Sequence, residues 1–230
     1  MLGYRRLDVT LIYNRLKSCA HFEEEPILSE TNLMADALQL IAENKRTGFP
    51  FLDLGNCGLT KVPAEVSELV WLKSLSFGGR YYNSHAEQWL PRHGQNSGAR
   101  NDRLMDLGPL AGLSALQMLD VSEIQVSDLA PLARLSALRT LNVSGTQVSD
   151  LAPLAGLSAL QTLFVYDTQV SDLAPLAGLS ALRTLDVSKT QVTDLAPLAS
   201  LSALQRLRAR SNRKLTATSV LAIAMAGKSG

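Results

Sequence analysis

One segment of this chain is written four times over. Residues 113–134 read LSALQMLDVSEIQVSDLAPLAR, and residues 135–156, 157–178 and 179–200 repeat them with few changes. A fifth copy opens at Leu201 as LSALQRLRARSNRKL and then decays. A period of 22 that never slips across four units constrains the architecture before anything else, because equivalent residues must meet equivalent surroundings. In residues 135–156 the apolar places are Leu135, Leu138, Leu141, Val143, Val148, Leu151 and Leu154. Around Leu141 and Val143 they alternate with Thr140, Asn142 and Ser144, the pattern of a strand with one buried face. Asp150 then precedes Leu151-Ala152-Pro153-Leu154. An acidic cap with proline in the first turn begins a helix, and so brief a segment predicts a turn of 3₁₀. One strand and one short turn cannot bury their own apolar face. Stacked neighbours can, so the expected product is a curved solenoid with a continuous core.

The pattern L-x-x-L-x-V-x-x-T-x-V-x-x-L-x-P-L resembles the leucine-rich repeat, in the 22-residue form of bacterial internalins. The resemblance covers roughly residues 50–215. It implies an α/β solenoid of about seven units, right-handed, with a parallel β-sheet on the concave face, 3₁₀ or short helical turns on the convex face and an N-terminal helical cap. The family's usual Asn or Cys after the strand is replaced by Thr146, Thr168 and Thr190, and by Ile124 in the first full copy. Cys57, in LDLGNCGL, matches the family at that position. Thr keeps one hydroxyl donor and Ile124 keeps none, so a regular internal asparagine ladder is not expected.

The array is expected over residues 51–215, with residues 29–50 as its cap, residues 1–28 as a poorly defined extension and residues 216–230 as a C-terminal cap and tail. The cap segment SETNLMADALQLIAENKRTG offers Ser29 or Thr31 to start an amphipathic helix, with Leu33, Ala37, Leu40 and Ile41 on one face. This helix, followed by LDLGNCGLTKVP, also resembles the start of the leucine-rich region in bacterial Roco-type proteins, which implies a GTPase domain elsewhere. From Leu69 to Leu113 the chain runs 44 residues, so about one repeat length has been inserted. The Gly, Asn, Ser and Arg content of residues 79–100 predicts a loop in place of another unit. Tyr81, Tyr82 and Trp89 within it point to an ordered binding loop or a flap packed over the solenoid.

A net charge of +1 gives no global bias toward nucleic acid or an acidic membrane. No apolar run approaches the ~20 residues of a membrane-spanning helix. Asp8 interrupts the only apolar patch near the N-terminus, so no secretory signal is expected. Cys19 and Cys57 lack metal or redox spacing, which points to a reduced, cytoplasmic setting, with an injected effector in a host cell as the alternative. His21, His85 and His93 have no partners at metal-ligand spacing, and neither metal nor cofactor is expected. Asp128, Asp150, Asp172 and Asp194 lie one repeat apart, a row of turn caps that does not converge as an acid–base pair. No serine sits in a nucleophile elbow, and no catalytic residue is expected. Gly227, Lys228 and Ser229 echo a phosphate-binding loop, but Ala222 stands where its first glycine belongs.

Function is therefore sought where the copies differ. Outward strand positions form one row, Asp53, Ser76, Asp120, Asn142, Phe164, Asp186 and Arg208, and beside it Gly55, Gly78, Ser122, Ser144, Tyr166, Ser188 and Arg210. Phe164 and Tyr166 are read as exposed aromatics among charges, the composition of a protein-binding hot spot. Asp167, Asp186 and Lys189 would complete its centre, and Tyr81, Tyr82 and Trp89 would overhang one end. Arg206, Arg208 and Arg210, with Arg213 and Lys214, make one end basic, while Asp53, Asp120 and Glu123 make the other acidic. The expected partner is a protein or peptide on the concave face. Polyanion binding through the arginines is a weaker reading at a net charge of +1.

Overall fold

A computed structural model describes residues 30–83, 88–91, 100–212 and 215. Cys19, His21, His85, His93, Arg213, Lys214 and the Gly227-Lys228-Ser229 stretch lie outside them. Helix α1 (Glu30–Thr47) leads into β1 (Phe51–Asp53) and β2 (Ser74–Ser76), followed by β3 (Arg80–Asn83) and β4 (Gln88–Pro91). Strands β5 (Met118–Asp120), β6 (Thr140–Asn142), β7 (Thr162–Phe164), β8 (Thr184–Asp186) and β9 (Arg206–Arg208) complete the described elements. Seven of these strands form one parallel sheet in the order β1-β2-β5-β6-β7-β8-β9. Leu52, Leu75, Leu119, Leu141, Leu163, Leu185 and Leu207 stand side by side in register.

Each unit is locally simple and holds together through its neighbours. Gln161 N and Thr162 N both donate to Arg139 O, at 2.8 and 2.9 Å, and Val143 N donates to Phe164 O at 2.9 Å. Gln147 N reaches back to Val126 O at 3.0 Å. The seven apolar side chains of residues 135–156 are all buried, and their equivalents in the neighbouring copies join them in one continuous core. Burying each such side chain contributes about 2 kcal/mol. The turns are 3₁₀, and from Gly108–Leu110 onward, as in Ala152–Leu154, proline is their second residue. Asp128, Asp150, Asp172 and Asp194 each accept the N–H two residues on, at 2.7 to 2.8 Å. Aspartate thus closes the turn that proline then keeps helical.

The insertion leaves the sheet intact. Strand β2 pairs directly with β5, although Leu75 and Leu119 are 44 residues apart, and the excursion between them is not another unit. It contains an antiparallel hairpin, β3 against β4, with Tyr82 opposite Trp89 and Tyr81 opposite Leu90. Residues 80–83 and 88–91 are thus more regular than the composition of the segment predicts, because Tyr81, Tyr82 and Trp89 carry strong strand propensity. The side chains of Tyr81, Tyr82 and Trp89 lie outside the described residues.

Helix α1 covers β1 through Ala37, Ile41 and Asn44, all buried. Leu40 is 37 % exposed, which corrects its expected place on the inner face: that face runs at i, i+4 and i+7, and Leu40 falls beside it. Asn44 was not foreseen. Its Nδ2 donates to Phe49 O at 3.0 Å and Phe51 O at 2.9 Å, and its Oδ1 accepts from Trp71 Nε1 at 3.2 Å. One carboxamide thereby ties the cap to the first strand and to the next turn.

Cys57 occupies the position after β1 that the resemblance assigns to it, and its Sγ lies 3.7 Å from Gly55 O. Burial first, and the Asp36 carboxylate second, push its thiol from an ordinary 9.0 up to about 12. Between those values the native state keeps a proton that the unfolded chain releases, so stability falls as pH rises through this window and is complete below it. In a Cys19→Ser variant at pH 8.5, iodoacetamide should label the native protein roughly 100-fold more slowly than the urea-unfolded chain. Equal rates would refute the assignment.

Candidate binding surface

The two outward rows are built on three-residue strands whose equivalent positions stack about 4.8 Å apart. That spacing determines how much of each side chain reaches solvent, and most of the first row does not. Ser76, Asp120, Asn142 and Asp186 are buried. Ser76 Oγ donates to Asp120 Oδ2 at 3.1 Å, while Asn142 Nδ2 and Ser122 N donate to Asp120 Oδ1 at 3.0 and 3.1 Å. The aspartate is therefore a strut of the surface. Ser144 N and Ser188 N make the same short closure onto Asn142 Oδ1 and Asp186 Oδ1, at 3.0 and 2.9 Å.

Phe164 interrupts this polar row between Asn142 and Asp186. Its side chain is 5 % exposed, so it is not the projecting aromatic expected from the sequence. It stands apart from the leucine core on the other side of the sheet, buried in the outer row itself. Tyr166, two residues further along, does reach solvent at 36 %. Lys189 Nζ lies 4.9 Å from the centre of the Tyr166 ring, a cation–π pair. The pairing with Tyr166, and then the charge of Asp167, hold the Lys189 ammonium above its usual pKa.

A hollow of about 410 Å³ opens over this ring pair. Phe164 and Tyr166 form part of its lining, and Glu123, Asp167, Asp186 and Arg208 supply the charge around it. Arg208 Nη1 lies 4.0 Å from Asp186 Oδ2. Of the other expected site residues, Arg206 and Arg210 are exposed on the same end, outside the hollow, and Lys189 enters only as the partner of Tyr166. The basic end thus contributes Arg208 alone to this site.

A backbone feature runs along the edge of these rows. Glu123, Asp167, Lys189 and Ser211 all have φ between 54° and 60°, and Gly145 shares their position at 67°. The chain makes the same left-handed corner after each strand from β5 to β9. Glycine adopts it without strain, whereas another residue costs about 1 kcal/mol. Only one of these corners uses glycine. That signal was present in the sequence as variation at a fixed repeat position, where only Gly145 and Asp167 are residues that favour a positive φ.

The position after the strand carries hydroxyls that donate within their own unit. Thr146, Thr168 and Thr190 Oγ1 donate to the carbonyls of Val143, Val165 and Val187, at 2.5, 2.7 and 2.6 Å. Asparagine performs the wider task at two points. Asn212 Nδ2 donates to Val187 O at 3.0 Å, and its Oδ1 accepts from Thr190 N at 3.1 Å. Asn101, buried where the insertion returns to the array, donates to Leu54 O at 2.7 Å and Phe77 O at 2.9 Å and accepts from Leu59 N at 2.7 Å. Next to it Arg100 Nη1 lies 3.4 Å from Glu123 Oε2, on the rim of the hollow.

Among the described residues, no group of three or more His, Cys, Asp and Glu gathers as metal ligands, and no helix is long and apolar enough to cross a membrane.

The sheet, the 3₁₀ turns and the helical cap define a leucine-rich-repeat solenoid, a protein-binding fold of the bacterial type. No family model matches the chain, and no curated protein matches it. Solved structures do. The chain is similar to an internalin (inlF) from Listeria monocytogenes, at 29% identity and a TM-score of 0.59, over 75% of this chain and 44% of that one. It is similar to internalin C2 of the same organism at 28% identity and a TM-score of 0.55, over 84% of this chain and 79% of that one. A leucine-rich-repeat protein of Leptospira interrogans, at 20% identity and a TM-score of 0.54, shares the fold over 82% of this chain. The chain thus spans less than half the length of inlF.

Proposed function

We propose that this chain is a non-enzymatic recognition module that binds a protein or peptide on its concave face, centred on the hollow over Phe164 and Tyr166. The observation that carries this reading is the set of non-glycine side chains kept at left-handed corners beside it, Glu123, Asp167 and Lys189. Folding alone favours glycine, asparagine or aspartate there, so it is Glu123 and Lys189 whose presence at these corners points to contact with something else. A solvent-facing tyrosine beside them adds the rigid, amphipathic group on which protein interfaces concentrate affinity.

Tyr166→Ala removes one half-exposed ring, so circular dichroism and melting should stay unchanged. Capture of the partner that the wild-type chain retains should fall by at least about 10-fold, as read by quantitative mass spectrometry of matched pull-downs. Equal capture would overturn the reading. Phe164→Ala is the poorer probe, because truncating a buried ring also changes stability.

A helix leading into LDLGNCGLTKVP, as in Roco-type leucine-rich regions, fits a second version in which this module is the recognition arm of a larger GTPase or of a secreted effector. A complete phosphate-binding loop in the same gene would support that version, and its absence would remove it.

A further inference from the structure

Glu123 and Asp167 stand at left-handed corners after β5 and β7, and Gly145 occupies the corresponding corner between them. Gly145 has no side chain, and a Cβ there would lie 3.6 Å from Glu123 Cγ, so the Glu123 side chain leans over the glycine, and Glu123, Gly145 and Asp167 all line the hollow. Aromatic rings line the same hollow: Phe164, buried, and Tyr166, half-exposed. Arg208 is drawn to Asp186 at 4.0 Å, so the negative character of the hollow comes from Glu123 and Asp167.

Both kinds of group already attract cations from within this chain. Arg100, 70 % exposed, reaches Glu123 at 3.4 Å, and Lys189 lies over the Tyr166 ring at 4.9 Å. Exposed pairs of this sort are weak, so an incoming cation can displace them at little cost. Resting on the proposal that this face binds a protein or peptide, we infer that the hollow is the subsite for one basic side chain of that partner, and that arginine fits it better than lysine. A guanidinium is planar, stacks on a tyrosine face and donates two hydrogen bonds at once to a carboxylate. The charge balance opposes an anionic occupant: the lining holds the carboxylates of Glu123, Asp167 and Asp186 against the single guanidinium of Arg208.

The test is a ¹H–¹⁵N titration of the full chain with acetyl-arginine methylamide, with the citrulline and glutamate analogues as the neutral isostere and the anionic control. The amides of Gly145 and Asp167 should shift saturably with the arginine probe, and roughly 5-fold more weakly with citrulline. Asp167→Asn should weaken the arginine probe by roughly 5-fold, since asparagine tolerates the left-handed corner and only the charge is lost. Arg100→Ala and Lys189→Ala should each tighten it by roughly 2-fold, because each removes a competing internal cation. No purely structural role predicts that gain. Equal response to arginine and citrulline, response to the glutamate probe instead, or no response to any probe would overturn the inference. Partner capture that depends on Tyr166 would still stand in those cases, so the two proposals fail separately.

Discussion

Asn101→Ala should lower the unfolding free energy by about 3–5 kcal/mol, read by urea denaturation followed by circular dichroism. The side chain is 2 % exposed and serves three backbone groups in two different units. Removing it strands the Leu59 N–H and deprives the Leu54 and Phe77 carbonyls of their donor, in a place that water does not reach. Each buried group left without its partner costs about 1–3 kcal/mol. Asn101→Asp should be at least as damaging, because it keeps the acceptor for Leu59 N but turns an anionic oxygen toward two carbonyls. Thr146→Val is the matched control: it deletes one hydroxyl donation, to Val143 O, and should cost about 1 kcal/mol. A loss below about 1 kcal/mol for Asn101→Ala would show that the insertion returns to the array without this clamp.

Asn101 also shows where the sequence stops being readable. Counting back by 22 from Thr146 and Ile124 reaches Asp102, one residue beyond the asparagine that does the work. The insertion shifts the local register, so periodicity points to the wrong neighbour. What depends on a single unit and its immediate copies was legible: Leu141 inward, Asp150 closing its turn, Pro153 in the 3₁₀ segment, all decided by local chemistry repeated without error. What depends on how copies crowd one another was not. Phe164 alternates with core residues and so reads as outward and exposed, yet stacking at strand spacing buries it between Asn142 and Asp186. The left-handed corners escaped for a related reason, since three of the five, Glu123, Lys189 and Ser211, carry residues that rarely announce a positive φ.

Gly78→Ala tests how tightly the buried row beneath the binding face is built. A methyl group at residue 78 would lie 2.5 Å from Ser122 Oγ and 2.7 and 2.9 Å from the two Asp120 carboxylate oxygens, closer than atoms can approach. Ser122 can turn its hydroxyl aside by rotating one bond. Asp120 cannot move as freely, because Ser76 Oγ, Asn142 Nδ2 and Ser122 N all hold its carboxylate. The substitution should therefore cost about 2–3 kcal/mol by forcing that carboxylate out of its bonds. Asp120→Ala alone should cost a similar amount, about 2–4 kcal/mol, by leaving the same three donors without their acceptor. If the glycine exists to make room for the carboxylate, the two losses share one cause. The double variant should then fall short of their sum by at least about 1 kcal/mol, because the methyl group enters space that the carboxylate has vacated. Additive losses would mean instead that backbone conformation, not the aspartate, demands glycine at residue 78. In the coupled case, Gly78 and Asp120 fix the floor from which Ser122 and Glu123 extend to the hollow, and the double variant should also weaken the arginine probe at Gly145.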